Sequence, residues 1–144
     1  IVPVVNEGML SRDPGLAQPF IAANVLVAMG ADDAGVATER ERFRGVLAFL
    51  FSTPAYWPSL RLFGWESLGE TLLQLTREKR WQEMPSVFED RVLDEFLVTG
   101  RFDMVAGALR QRYIGLVDRI AIPVPEDPAH DPLVAAMLAE LGAG

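Results

Sequence analysis

The chain contains 144 residues, half of them hydrophobic, and it has no cysteine. This length predicts one domain with a sizeable core, and the lack of cysteine excludes a disulfide framework and thiolate chemistry. The net charge of −7 argues against nucleic-acid binding, and with neither a membrane-length apolar run nor a signal segment the chain is predicted to be cytoplasmic.

Residues 1–19 are predicted to form a linker or a strand stub. Ile1–Val5 is rich in β-branched residues, but Pro3 restricts it to an edge position. Residues 6–19 are mostly glycine, proline and small polar residues. The run Phe20–Met29 is apolar apart from one asparagine, which is typical of a strand buried on both faces of a parallel sheet.

Three helices are predicted after this strand. The first, over 34–51, is expected to be capped by Asp32 or Asp33, and its Arg40 and Arg44 are expected to face water. Two prolines then interrupt the pattern and leave room for one short helical turn. The predictions in this region are that turn, between Pro54 and Phe63, and helices over 66–79 and 84–95.

The rest of the chain alternates between strand and helix. Short apolar runs at 96–99 and 117–124 are predicted strands, separated by a helix over 102–113. The final helix is predicted to be capped by Asp131, with Pro132 at its first position. Such alternation indicates right-handed connections between parallel strands, so we expect an α/β fold.

The residue types offer little general chemistry. The single histidine, His130, lies in a loop rich in proline and aspartate and is expected to be solvated there. No side chains have the spacing of a metal site, and the motifs of serine hydrolases and of phosphate-binding loops are absent. The sequence therefore predicts no metal and identifies no catalytic residue.

The stretch Ala48–Trp65 is rich in aromatic residues for a surface loop. Ser52 and Thr53 offer hydroxyl groups, and Tyr56 and Trp57 offer rings suited to covering a planar ligand, which predicts the wall of a substrate pocket. The alternative is that the two hydroxyl residues end one helix and cap the next, with both rings in the core. The sequence supports these alternatives equally.

A second candidate site follows the predicted strand at 96–99. Thr99 and Gly100 precede a helix, so a hydroxyl and backbone N–H groups are predicted near a helix N-terminus, where anions bind. Arg101 adds a positive charge suited to contacting a phosphate. A plain strand-to-helix turn, with glycine as a permissive residue, is an equal alternative.

Several segments resemble one enzyme family. Ala48–Tyr56 reads AFLFSTPAY and is followed by Gly64-Trp65. This phrase resembles one in the luciferase-like monooxygenase superfamily, in its branch of deazaflavin-dependent oxidoreductases. The other similar segments are Arg80–Met84, Val92–Gly100 and Arg112–Arg119. The likeness runs through residues 20–124 in one register.

This resemblance implies a partial (β/α)8 TIM barrel, whose complete form needs about 250 residues. The C-terminal half of the barrel would occupy 20–125, with a helical insertion at 52–95, and 126–144 would add a final loop and helix. The implied reaction is hydride transfer between a deazaflavin (coenzyme F-420; flavin mononucleotide, FMN, as the alternative) and a small-molecule substrate. The implied substrate-binding residues are Ser52, Thr53, Tyr56 and Trp57, and the implied cofactor-binding residues are Thr99, Gly100 and Arg101.

Three predicted strands cannot close a barrel. Their open edges would attract other chains, so we expect pairing with the missing N-terminal half or with copies of this chain, and no competent enzyme from the chain alone. The alternative to an oxidoreductase part is a non-catalytic remnant α/β domain that binds a partner protein or a hydrophobic small molecule.

Overall fold

The computed structural model describes residues 2–17 and 19–143. Within them, strands and helices form an α/β fold, as expected. The strands are β1 (Ala22–Asn24), β2 (Val27–Gly30), β3 (Val98–Arg101) and β4 (Arg119–Ala121). The α-helices are α1 (Val2–Leu10), α2 (Asp33–Phe51), α3 (Trp57–Arg61), α4 (Glu66–Arg77), α5 (Asp90–Phe96), α6 (Val105–Tyr113) and α7 (Asp131–Gly142). Short 3-10 turns lie at Pro54–Tyr56, Trp81–Val87 and Pro128–His130.

The segment that holds β1 and β2 is the centre of the sheet. β1 pairs in parallel with β4, and β2 pairs in parallel with β3. The segment changes partner between Val25 and Leu26. The Val25 N–H donates to the Ala121 carbonyl at 2.9 Å. The carbonyl of Leu26 accepts from the Val98 N–H at 3.0 Å. Parallel pairing is thus confirmed, and the single strand predicted here is two short ones.

Helices lie on both faces of this sheet. Ala28 of β2 belongs to the same buried cluster as Leu47 of α2, whereas its neighbours Val27 and Met29 pack with α7 and with Leu109 of α6. Because α2 and α6 lie on opposite faces, right-handed connections lead to opposite edges of the sheet. The spatial order is therefore β3, then β2 and β1, then β4.

This strand order differs from that of a barrel segment. A barrel pairs each strand with the one before it in the chain, which would place β4 beside β3. Here β4 pairs with β1 instead. The strands form two two-stranded parallel sheets, β1 with β4 and β2 with β3, which share the segment that holds β1 and β2.

The region between β2 and β3 forms a helical layer against α2. The helices predicted over 34–51 and 66–79 are confirmed as α2 and α4. Asp32 is the cap of α2, because its carboxylate accepts from the Gly35 N–H at 2.8 Å. Leu72 and Leu75 on the apolar stripe of α4 are buried, as their spacing predicts.

The helix predicted over 84–95 is confirmed only from Asp90 onward, as α5. The 3-10 turn that ends at Val87 is separated from α5 by a break at Phe88, which is extended with φ −93° and ψ 90°. Glu89 is extended as well, with φ −64° and ψ 154°, so α5 starts as a separate helix at Asp90. The neighbouring predicted elements exist with shifted ends, since β3 continues to Arg101 and α6 begins only at Val105.

Both ends of the chain also differ from the prediction. Val2–Leu10 is helical, because Pro3 falls in the first helical turn, where its missing N–H costs no hydrogen bond; Ile1 lies outside the described residues. Asp131 begins α7 without capping it. Asp127 caps the preceding 3-10 turn, accepting from the Ala129 N–H at 2.9 Å.

Arg40 and Arg44 do not face water as predicted. Their side chains are only 20% and 12% exposed. Arg44 forms an ion pair with Asp90 and donates to the Phe88 carbonyl. Arg40 pairs with Asp94 at 2.6 Å. The two arginines thus fasten α5 to α2, and α5 leads directly into β3.

Replacing Gly69 with Ala tests the packing of α4 on α3. A Cβ on Gly69 would lie 2.5 Å from Nε1 of Trp57, so the indole would have to move. We expect Gly69→Ala to lower the free energy of unfolding by about 1–3 kcal/mol in urea denaturation. The matched control is Gly107→Ala on α6, where a Cβ meets no atom within 4 Å and helix propensity should add up to about 1 kcal/mol. Equal responses at the two glycines would contradict this packing.

The ion pairs of Asp90 predict a pH dependence of stability. Hydrogen bonds from Arg44 and then Arg40 lower the pKa of Asp90 below its ordinary value. The stabilisation is therefore present above that ordinary value and is lost as the pH falls through the lowered pKa. In urea denaturation, Asp90→Asn should be less stable than the unaltered chain at neutral pH and should converge with it in acid. Glu70→Gln, on exposed α4, should follow the unaltered chain throughout; a constant gap for Asp90→Asn would refute the linkage.

Candidate functional site

The carboxyl ends of β2 and β3 lie side by side, at the edge where α/β proteins place their ligands. Gly30 is the register partner of Arg101, and the Phe102 N–H donates to the Gly30 carbonyl at 3.1 Å. A Cβ on Gly30 would lie 2.4 Å from the backbone nitrogen of Val36. Because Gly30 has no side chain, the first turn of α2 can pack directly against this edge.

Arg101 is the one predicted cofactor-binding residue that brings a charge to this edge. Its guanidinium forms an ion pair with Asp103, with Nη2 2.9 Å from Oδ2. This hydrogen bond is the main cause of the raised pKa of Arg101, to which Asp33 and Asp32 add through their charges. The same bond lowers the pKa of Asp103. An anion that reached Arg101 would have to compete with Asp103.

Thr99 and Gly100 lie beside Arg101 in β3 but are engaged within the protein. The Thr99 hydroxyl accepts from Nη1 of Arg40 at 3.3 Å, on the side of the sheet that α2 covers. A Cβ on Gly100 would lie 3.3 Å from Cβ of Val105, so this glycine allows α6 to pack closely on the strand. The three candidates therefore lie together in the structure. Only Arg101 could bind an anion, and the anion would have to displace Asp103.

Two of the four predicted substrate-binding residues point into the protein. Ser52 is only 4% exposed, and its hydroxyl donates to the Phe49 carbonyl at 2.7 Å. The indole N–H of Trp57 donates to the Phe51 carbonyl at 2.9 Å. Both side chains thus bond to carbonyl groups at the end of α2; the Phe49 carbonyl also accepts from the Ser52 N–H at 3.2 Å, whereas the carbonyls of the last turn have no further helical N–H to accept from.

The other two, Thr53 and Tyr56, are exposed. Thr53 precedes the 3-10 turn at Pro54–Tyr56 but makes no side-chain capping hydrogen bond, and Tyr56 is 47% exposed. The four residues are adjacent in the chain, but their side chains diverge. Together they form a turn with two sides. Ser52 and Trp57 on the inner side bond to the end of α2, and Thr53 and Tyr56 on the outer side are exposed.

His130 is half-buried, contrary to the solvated position expected for it. Its ring lies 5.3 Å from the ring of Phe102, the residue that follows β3. The loop before α7 therefore folds back over the carboxyl end of the sheet. Sequence reasoning missed this contact because the two residues are far apart in the chain and no local pattern links them.

Two cavities lie away from the predicted residues. One, of about 490 Å³, lies between α6, the loop 114–118, β4 and α7, and we call it the α6–α7 groove. The other, of about 210 Å³, lies between α4 and α5 beside Trp65 and Arg91. Leu109 and Tyr113 of α6 line the groove, and their helical spacing in the sequence is the same as that of core residues.

Among residues 2–17 and 19–143, no three side chains of His, Cys, Asp or Glu are grouped so that they could hold a metal ion. In the same part of the chain, none of the helices combines the length and apolar character needed to cross a lipid bilayer.

Comparison with known proteins finds relatives in mycobacteria. An uncharacterised protein of Mycobacterium bovis and uncharacterised proteins of two strains of Mycobacterium tuberculosis are each 37% identical to this chain over 119 residues, which is 83% of the chain. The same match covers 35% of each relative, so the chain spans about a third of their length. No family model and no solved structure matches the chain.

Replacing Trp57 and Tyr56 separately tests the two sides of the turn at Ser52–Trp57, which we call the aromatic turn. Trp57→Phe removes the indole N–H and leaves the Phe51 carbonyl without its donor, so we expect the free energy of unfolding to fall by about 1–3 kcal/mol. Tyr56→Phe removes an exposed hydroxyl and should change it by less than about 0.5 kcal/mol. Urea denaturation followed by circular dichroism measures both. A neutral Trp57→Phe would mean that the indole does not hold the turn.

Proposed function

We propose that this chain is the C-terminal part of a luciferase-like oxidoreductase that transfers hydride between a deazaflavin or flavin and a small organic substrate. The family-like segments in residues 20–124 support the proposal. The observation that carries it is an incomplete sheet in a chain that matches about a third of the length of its relatives. One face of β1 and β4 is uncovered, with exposed side chains at Ala22, Asn24, Arg119 and Ala121.

The proposed enzyme would contain these strands as part of a (β/α)8 barrel completed by the N-terminal half. In a barrel, β4 would pair with the outer edge of β3, which has no strand partner among the described residues. β4 is held to β1 over only three register pairs. Besides these few hydrogen bonds, a change of edge would have to move α6 from the face on which Leu109 packs with Val27 and Met29, and it would free β1 to pair with a strand of the N-terminal half.

The aromatic turn would form part of the substrate wall. Thr53 and Tyr56 are exposed and would contact the substrate directly. Ser52 and Trp57, which bond to the last carbonyls of α2, would hold the turn in position. This assignment keeps all four predicted residues in the site with two different roles.

Arg101 would contact a phosphate group of coenzyme F-420, or of FMN as the alternative. Two observations support this role. Arg101 lies at the carboxyl end of β3, and its guanidinium already pairs with the Asp103 carboxylate, whose place a phosphate could take. Thr99 and Gly100 would shape the strand behind it. The hydride chemistry would come from the cofactor, and the chain alone would not turn over.

A non-catalytic domain that binds a partner protein or a hydrophobic small molecule is the second candidate. Phe49 of α2 and Trp81 favour it, because their rings stack 6.0 Å apart while remaining 58% and 48% exposed. Exposed apolar groups of this kind mark contact surfaces. Either function is proposed for a cytoplasmic protein, in keeping with the absence of cysteine.

Titration of the chain with coenzyme F-420 and with FMN, followed by cofactor fluorescence, tests the oxidoreductase proposal. We expect saturable binding without hydride transfer. Arg101→Gln should weaken binding about tenfold, because it removes one charge-assisted contact. Asp103→Asn should strengthen binding, since it releases the Arg101 guanidinium.

Arg61→Gln, on exposed α3, is the control for loss of a positive charge and should leave the affinity unchanged. Absence of binding, or equal losses for Arg61→Gln and Arg101→Gln, would contradict the proposed cofactor site.

A further inference from the structure

The α6–α7 groove lies at the opposite end of the sheet from the predicted cofactor site. Its lining includes Val117, Asp118 and Arg119, where the chain enters β4, whereas Arg101 is the last residue of β3. β4 is parallel to β1, β3 is parallel to β2, and β1 and β2 follow each other in one segment. The start of β4 and the end of β3 therefore lie at opposite edges, and the groove is a separate candidate site.

The walls of this groove are largely apolar. Leu109 of α6 and both Leu138 and Leu141 of α7 contribute to them, and Ile114 and Leu138 are 73% and 48% exposed. The volume of about 490 Å³ falls in the range of about 300–1,000 Å³ that is usual for cavities holding small organic molecules. Covering exposed apolar side chains is favourable, so the groove can receive an aliphatic group.

The groove carries more positive than negative charge. Arg110 of α6 and Arg119 of β4 line it together with Asp118. Oδ2 of Asp118 accepts from the Ile21 N–H at 2.7 Å, so this carboxylate is already engaged with the backbone. Among the ion pairs formed within residues 2–17 and 19–143, none includes Arg110, Arg119 or Asp118. The groove is therefore locally cationic in a chain whose net charge is −7.

Both arginines keep hydrogen-bond donors for a ligand. Arg110 donates through Nη2 to the carbonyls of Glu140 and Leu141, which leaves its Nε and Nη1. The guanidinium of Arg119 lies over the Phe20 ring, 5.1 Å from its centre, and this contact through the flat face leaves the N–H groups free to donate. A guanidinium presents its donors in a planar fork that matches a carboxylate. The polar partner that suits the groove is thus an anion.

We propose that the α6–α7 groove binds an amphipathic organic anion, a carboxylate with an aliphatic chain of medium length. The chain packs against Leu109, Leu138 and Leu141, and the carboxylate accepts hydrogen bonds from Arg110 and Arg119. The charges favour this occupant, because a neutral apolar group would cover two guanidinium groups without neutralising either, which costs free energy. The proposal does not depend on the oxidoreductase function.

Isothermal titration calorimetry with decanoate, kept below the concentration at which it forms micelles, tests the proposal. We expect saturable binding to a single site. Decylammonium has the same chain with the opposite charge, and butyrate has the same carboxylate with a shorter chain. Both should bind at least about tenfold more weakly than decanoate. No binding of decanoate, or equal affinity for decanoate and decylammonium, would overturn the proposal.

Variants of α7 locate the site. Leu138→Glu places a carboxylate on the groove wall and should weaken decanoate binding at least about tenfold. The matched control is Leu133→Glu on the same helix, at a residue that is 42% exposed but does not line the groove, and it should leave the affinity unchanged. Equal responses of the two variants would contradict the assignment of the groove.

Variants of the arginines test the anion contacts. Arg119→Gln should weaken decanoate binding about tenfold, because one charge-assisted hydrogen bond is lost. Arg110→Gln should do the same, but it also removes bonds to the end of α7, so circular dichroism must first show that it is folded. Should it fail to fold, Arg119→Gln and Leu138→Glu must still both weaken binding. An Arg119→Gln variant with unaltered affinity would refute the carboxylate contact.

Sedimentation velocity at the titration concentrations shows whether a second copy of the chain fills the groove instead. We expect the same mass with and without decanoate. A dimer that Leu138→Glu dissociates and that decanoate leaves intact would overturn the proposal in favour of a protein occupant.

Discussion

Hydrogen bonding along both edges of one segment, Ile21–Gly30, is the constraint on which this fold depends. The segment bonds to β4 up to Val25 and to β3 from Leu26 onward. Its two partners are therefore staggered along it, and each reaches only part of its length. Short strands, helices on both sheet faces and an uncovered face over β1 and β4 all follow from this stagger. The partner of the first strand decides the architecture more than any single helix does.

Arginine side chains connect the helical layer to this sheet. Arg40 and Arg44 extend from α2 to the carboxylates of α5, and Arg112 of α6 donates to the carbonyls of Asp94 and Glu95. Cations near a helix C-terminus are favourable, so α5 is held at both ends by groups from two different helices. Because α5 leads directly into β3, these contacts also help to position the strand that carries Arg101. The charged residues of α2 have the pattern of a solvated helix face, but their ion pairs with α5 help to hold the candidate site in place.

Local signals in the sequence predicted local structure well. The Asp32 cap and the apolar stripes predicted α2 and α4, and the continuous apolar run predicted a buried parallel strand. The prediction over 84–95 was right only from Asp90 onward, because Phe88 and Glu89 adopt extended conformations that the apolar pattern does not signal. Strand order could not be predicted, since β4 pairs with β1 through backbone groups that any residue carries. The ion pairs of Arg40 were missed for the same reason: their acidic partners are distant in sequence, and helical periodicity places an arginine on a face without saying what covers that face.

The aromatic turn shows why a list of candidate residues underdetermines a site. Four neighbouring residues were equally good candidates for a pocket wall or for a helix end, and the structure divides them. The last carbonyls of α2 have no further helical donors; the indole of Trp57 donates to that of Phe51, and the hydroxyl of Ser52 adds a second bond to that of Phe49. Those two groups cannot also bind a ligand without exposing the helix end. The ligand contacts proposed for this turn therefore fall to Thr53 and Tyr56, the two residues whose side chains are exposed, while Trp57 holds the turn against the end of α2.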